Sequence, residues 1–209
     1  EARAVFSISM WLKPFESNNS SYFSRYPSSD RFWSFNTNGS GFNLIAKFGN
    51  GVAVTTPITN GGTNYSTNSW NHVLLTVNTN GVARIYVNGD DVSWGNNGIG
   101  MASAPRNDAL RSIATSLIFG LQSSGNTNYQ FLGKIDEVLI IRNQELSKQQ
   151  AQDIYNNGFG LVDTAAYLGN SGNILGYWKF NEGNGSNIQD ESPNNLSATL
   201  NGGAIWSTD

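Results

Sequence analysis

Cysteine is absent from this 209-residue chain, which excludes a structural disulfide and a cysteine-ligated zinc site. Charge is scarce: charged residues make up 13% of the chain, and the formal net charge is −3. No basic stripe for nucleic acid and no cationic face for an anionic membrane is present. No apolar run approaches the roughly 18 residues of a spanning helix, so membrane insertion is not expected. Glu1 opens directly into strand-like sequence, and no signal peptide is expected in it. The one histidine, His72, has no Ser or Cys nucleophile motif beside it, so a framework role is expected. What remains is rich in Asn, Ser and Thr and holds 23 glycines. Such residues suit turns, and their amides and hydroxyls also suit hydrogen bonds to sugars.

The length is near the upper end for one all-β domain and can bury a sizeable core. Phe6, Ile8, Met10 and Leu12 alternate with Ser7, Ser9 and Trp11, a period-two strand with one apolar face. Trp11, on the other face, either lines a groove or lies under a loop. Residues 31–35, 42–48 and 52–56 read as further strands. Val73, Leu75 and Val77 must share a core with Ala83, Ile85 and Val87. Pairing Val77 with Ile85 and Leu75 with Val87 achieves this and requires an odd-length connection or a bulge around Asn80-Gly81. Residues 90–111, with Trp94 and Asp108, form the longest stretch without periodicity, and such loops are often functional.

Residues 131–158 organise the chain. Phe131, Gly133, Ile135, Leu139 and Ile141 share one face of a strand, with Glu137 interrupting the row. The other face turns apolar at Val138 and Ile140, so that end is expected to be covered on both sides. The cover is a helix capped by Ser147, with Gln150 completing a capping box and Ala151, Ile154 and Tyr155 forming its apolar stripe. Gly158 is expected to supply the left-handed residue that ends it. A last strand over 174–180 places Ile174, Trp178 and Phe180 on one face.

Three motifs carry a resemblance: FSISMWLKP at 6–14, WNHVLLTVNTNGVARIYVNG at 70–89, and F-x-G-x-I-D-E-V with its helix from residue 131. Together they resemble the laminin-G-like domains of the concanavalin-A-like lectin/glucanase superfamily. The resemblance implies an all-β fold: two antiparallel sheets in a jelly-roll sandwich with one short helix. The text W-x-F-x-E-G-x-G, D-x-S and L-x-G-A-x-W resembles the usual start of such domains but stands here after residue 174. Residues 1–209 are therefore expected to form a single sandwich, circularly permuted or cut from a tandem array.

Glucanases of this superfamily carry a Glu-x-Asp-x-(x)-Glu triplet on one strand, and none is found. Asp136 and Glu137 are neighbours and are expected on opposite strand faces, so no carboxylate pair for glycoside hydrolysis is expected. The resemblance implies a calcium ion tying first strand to last, and the matching oxygen donors are Asp136, Asn181, Glu182 and Asp190. A lectin site stacks a sugar on an aromatic ring beside polar groups, and the candidates are Trp94, Tyr65, Tyr129, Trp33 and Asp108. The expected function is a non-catalytic glycan-binding module of a secreted, cell-surface or virion-surface protein. The alternative is a structural or adhesion domain with a protein partner.

Overall fold

The computed structural model describes residues 5–16, 20–25, 33–38, 43–48, 52–56, 65–93, 99–100, 117–121, 130–161, 163–169 and 172–208. In β3, β4, β5 and β9 below, only the backbone is described.

Among the described residues, fourteen strands follow in chain order: β1 Phe6–Pro14, β2 Ser21–Arg25, β3 Trp33–Asn38, β4 Asn43–Phe48, β5 Val52–Thr56, β6 Asn71–Val77, β7 Val82–Val87, β8 Asp90–Asp91, β9 Ile99–Gly100, β10 Ile118–Phe119, β11 Gly133–Arg142, β12 Ile174–Trp178, β13 Asn187–Ile188 and β14 Ala198–Thr199. The large sheet runs β12-β11-β1-β6-β7-β8, with β9 also on β7, and the second runs β10-β2-β3-β4-β5. Every pairing is antiparallel. The two-sheet, all-β architecture expected from the sequence is present. Helix α1, Lys148–Tyr155, is joined by a 3₁₀ turn, Asn156–Gly158, and by a second short helix, α2 Thr164–Tyr167, that the sequence pattern did not reveal.

Two cores lie on the two faces of the large sheet. Phe6, Ile8, Met10 and Leu12 meet Val73, Leu75, Val77, Ile85 and Val87 in the core shared with Tyr22 and Phe23 of the second sheet. The opposite face of the large sheet buries Leu74, Tyr86, Leu139, Ile141 and Tyr177 under Ala151 and Ile154 of α1 and Ala165 of α2. The polar face of β1 is satisfied beneath that layer: Leu146 N–H donates to Ser7 Oγ, which donates to the Gln144 carbonyl. Ser9 Oγ lies 2.8 Å from His72 Nε2. Burial holds His72 at a pKa of about 3, so it is a neutral framework group, as expected.

Three local expectations are corrected. In the β6–β7 hairpin the pairs are Leu75 with Ile85 and Val77 with Ala83. The same-face parity and odd-length connection hold, but the register sits two residues from the expected one because Asn78 closes the turn itself. Its side chain accepts from the N–H groups of Asn80 and Val82. Helix α1 has the expected Ser147–Gln150 capping box but ends on Asn156, which is left-handed at φ 46° ahead of Gly158. In β12, Trp178 faces the inter-sheet core while Ile174 faces the helical layer, because a register shift between Ile140 and Ile141 flips one end of the strand.

β12 pairs with β11 through Val138–Trp178, Leu139–Tyr177 and Ile140–Gly176, so the displaced motif does complete the large sheet. An open strand edge is a liability, and the segment after β12 folds back on this one. Asp190, 2% exposed, accepts from Tyr177 N–H at 2.8 Å, Ser192 N–H at 2.9 Å, Ser192 Oγ at 2.8 Å and Leu196 N–H at 2.7 Å. Asn194 Nδ2 donates to the Ile174 and Leu175 carbonyls. Asp190→Ala strands several of these donors together, and an unmet buried donor costs about 1–3 kcal/mol. We expect a loss of about 3 kcal/mol in urea unfolding; a loss below about 1 kcal/mol would show that the edge is held by other means.

Candidate functional site

Where α1 ends, the outer face of the large sheet opens into a cleft of about 260 Å³. It is lined by Trp11, Trp70, Asp136, Glu137 and the turn residues Gly158, Phe159, Gly160 and Leu161. Trp11 sits on the serine face of β1, stacked on Tyr155 at 6.0 Å between ring centroids and 5.4 Å from the His72 ring. The turn lies directly against its indole: a Cβ on Gly160 would come within 3.3 Å of Trp11, and Gly160 has φ +66°. Gly158, also at positive φ, flanks the other side of Phe159, which is 89% exposed at the rim. Trp70 leads into β6, and Lys13 Nζ stands 6.0 Å over its ring.

The carboxylates reach the cleft through a break in β11. Glu137 has φ +48°, a left-handed conformation uncommon for a residue other than glycine. Opposite it the register against β1 slips: Ser9 pairs with Leu139 but Trp11 pairs with Asp136. This bulge reverses the alternation. Ile135 therefore packs on the inter-sheet core with Val138 and Ile140, whereas Leu139 and Ile141 face the helices, correcting the single row expected from the sequence. It also corrects the expectation that Asp136 and Glu137 part to opposite faces, since both line the cleft. The sequence signal was present in Glu137 interrupting an apolar row and in Trp11 standing opposite one. Phe159, between glycines just past a helix, carried no periodic signal.

Tyr177 donates its hydroxyl to Glu137 Oε2. Desolvation lifts the Glu137 carboxyl from its ordinary range to about 7, against the Tyr177 hydrogen bond and Lys179, which lower it; the Asp136 charge adds to the rise.

The other expected site residues lie elsewhere. Tyr65 is 5% exposed in the inter-sheet core and hydrogen-bonds Tyr22 through its hydroxyl, so its ring offers no stacking face. Trp94, Asp108 and Tyr129 lie outside the described residues, and Trp33 is described only as backbone in β3. Several of the oxygens expected for calcium already accept hydrogen bonds within the chain, while Glu182 Oε2 is buried without a hydrogen-bond partner. Asp190 is saturated by the four donors given above, Glu182 Oε1 accepts from Gln189 N–H at 2.7 Å, and Asp136 Oδ1 accepts from Glu137 N–H at 2.9 Å. Asn181 is exposed beside them in sequence. Among the described residues no three His, Cys, Asp or Glu side chains gather as a metal set.

A carboxyl with a raised folded-state pKa contributes stability that is complete below the unfolded pKa and lost as pH rises through the folded one. For Glu137 the window runs from about pH 4.5 to 7. Glu137→Gln keeps an acceptor for Tyr177 and removes the titration. Its melting temperature should match that of the unsubstituted chain near pH 4.5 and exceed it near pH 8; a constant difference between the two pH values would contradict the assignment.

Comparison with known proteins gives the same fold. Residues 2–152 match the laminin-G-like family model described as the concanavalin A-like lectin/glucanases superfamily. No curated protein matches the chain in sequence. Among solved structures, a heptameric SAP-like pentraxin from Limulus polyphemus shares 16% identity at TM-score 0.51, over 74% of this chain and 71% of its own. Domain 4 of AbnA, a GH43 extracellular arabinanase from Geobacillus stearothermophilus solved with arabinotriose, shares 20% at TM-score 0.53, over 73% and 67%. The binding domain of Paraclostridial Mosquitocidal Protein 1 shares 19% at TM-score 0.54, over 75% of this chain but 38% of that one. With its two-sheet sandwich and a family match across most of its length, the chain belongs to the concanavalin A-like lectin/glucanase superfamily, as a laminin-G-like domain.

Proposed function

We propose that the chain is a non-catalytic glycan-recognition module of a secreted or surface-displayed protein. The observation that carries this reading is the outer-face cleft, where aromatic rings stand beside two carboxylates. A sugar presents an apolar face to a ring and hydroxyls to acceptors, and the cleft offers both partners. The arabinanase domain of the same fold was solved with arabinotriose, which supports sugar binding as a use of this sandwich. Hydrolysis is not favoured. Glycosidase carboxyls flank the scissile bond, whereas Asp136 and Glu137 are chain neighbours on one bulged strand. No described helix is long and apolar enough to cross a membrane.

Trp94 and Asp108 of the segment 90–111, with Tyr129 and Trp33, are kept as a second set of candidates for the same ligand. The reading with a protein partner draws on the exposed side chains of Phe159 and Ile205. A glycan array separates these. Binding should be detected, and Phe159→Ala should weaken it by about 1 kcal/mol, the scale of one aromatic contact, without lowering the melting temperature. If Trp94→Ala abolishes binding and Phe159→Ala leaves it intact, the site is the segment 90–111. An array on which nothing binds would favour the protein-partner reading.

A further inference from the structure

We propose that the outer-face cleft takes a single sugar residue bearing a protonated amine, held between the Trp70 and Phe159 rings and the Glu137 carboxylate. This rests on the glycan-recognition reading and narrows its ligand.

Size points to one residue. The cleft, at about 260 Å³, falls just below the roughly 300–1,000 Å³ of pockets that bury drug-sized ligands. Trp11, itself packed on Tyr155 and His72, and the close-lying Gly160 form one wall, so this wall is fixed by ring stacking and by backbone. The geometry suits a terminal unit entering by one end better than a chain lying across a groove.

Chemistry points to a cation. Among the described residues, the ionisable side chains that line the cleft are the carboxylates of Asp136 and Glu137. The remaining large polar-faced groups are aromatic rings, whose faces attract positive charge. Trp70 already shows the preference within the chain, with Lys13 Nζ 6.0 Å over its ring. Glu137 Oε2 is engaged by Tyr177, which fixes the carboxylate in orientation and leaves Oε1 as the acceptor for a ligand. A neutral sugar would use the rings and one hydrogen bond to the carboxylate, whereas an ammonium on the ring adds its charge to both contacts.

The test follows the indole N–H signals of Trp70 and Trp11 in the ¹⁵N-labelled chain near neutral pH. Glucosamine, N-acetylglucosamine, glucose and a lysine amide are titrated in turn. Glucosamine should shift the Trp70 signal and bind about tenfold more tightly than either neutral sugar, the scale of one desolvated cation–π or charge contact. Glu137→Gln should remove that preference, and Phe159→Ala, which alters only an exposed rim residue, should weaken all three sugars together. Equal binding of all three sugars would overturn the amine preference while leaving glycan recognition standing. Shifts with the lysine amide but not with glucosamine would make the ligand a peptide side chain and overturn the sugar assignment. No shift with any probe, alongside binding on the array, would overturn the cleft as the site; no shift together with an empty array would remove the glycan reading itself.

Discussion

The structure depends on one strand, β11, being buried on both faces while changing which face is which. Val138 to Ile141 are at most 1% exposed, split between the inter-sheet core and the helical layer. A strand with strict alternation would carry Asp136 on the same face as Val138 and Ile140, inside the inter-sheet core. The left-handed turn at Glu137 instead absorbs one residue, so the apolar end stays doubly buried and the acidic end reaches the cleft. Backbone strain of this kind costs about 1–3 kcal/mol and persists where the surroundings over-determine it. Here those surroundings are β1 on one side, β12 on the other, and the Tyr177 hydroxyl on the carboxylate.

Closure of the large sheet is the second constraint. β12 comes from outside the segment that matches the family, yet it occupies the edge next to β11 and contributes Trp178 to one core and Tyr177 to the other. Gly176 makes room for this: a Cβ there would stand 2.2 Å from the Trp178 ring. The edge is then covered by side chains and turns from 190–196, with no further strand added. Asp190, in the D-x-S text that resembles the family's usual start, works in the fold as the acceptor of a hydrogen-bonded corner. A permuted single unit and a segment of a tandem array would both use this pairing.

Much of the fold was legible in residue patterns. Alternation in β1 and β6, the capping box of α1 and the burial of both faces at the end of β11 follow from side-chain period and capping chemistry, and the structure shows each. What could not be read were the places where one residue departs from its period. Glu137 adopts positive φ without being glycine, Asn78 closes a hairpin by its own side chain, and Asn156 ends a helix two residues before the glycine. Each depends on packing or side-chain bonding that local propensity does not encode. The cleft was hidden for the same reason, because it is assembled by the bulge and by a turn from the far end of the helix. Aromatic residues in polar loops drew attention to Tyr65, whose ring belongs to the core, and away from Trp70, which lies in a strand motif, whereas Trp11 does line a groove, one of the two roles its strand position allowed.

On the proposed reading, recognition falls where a doubly covered sheet runs out of cover. The rings and carboxylates there are held by framework contacts, so a ligand meets a largely pre-formed surface. A crystal structure of the chain with the glycan that binds it most tightly tests this most directly. The account predicts sugar density against Trp70 and Phe159, within hydrogen-bonding reach of Glu137; density seated on the segment 90–111, with the cleft holding only solvent, would contradict it.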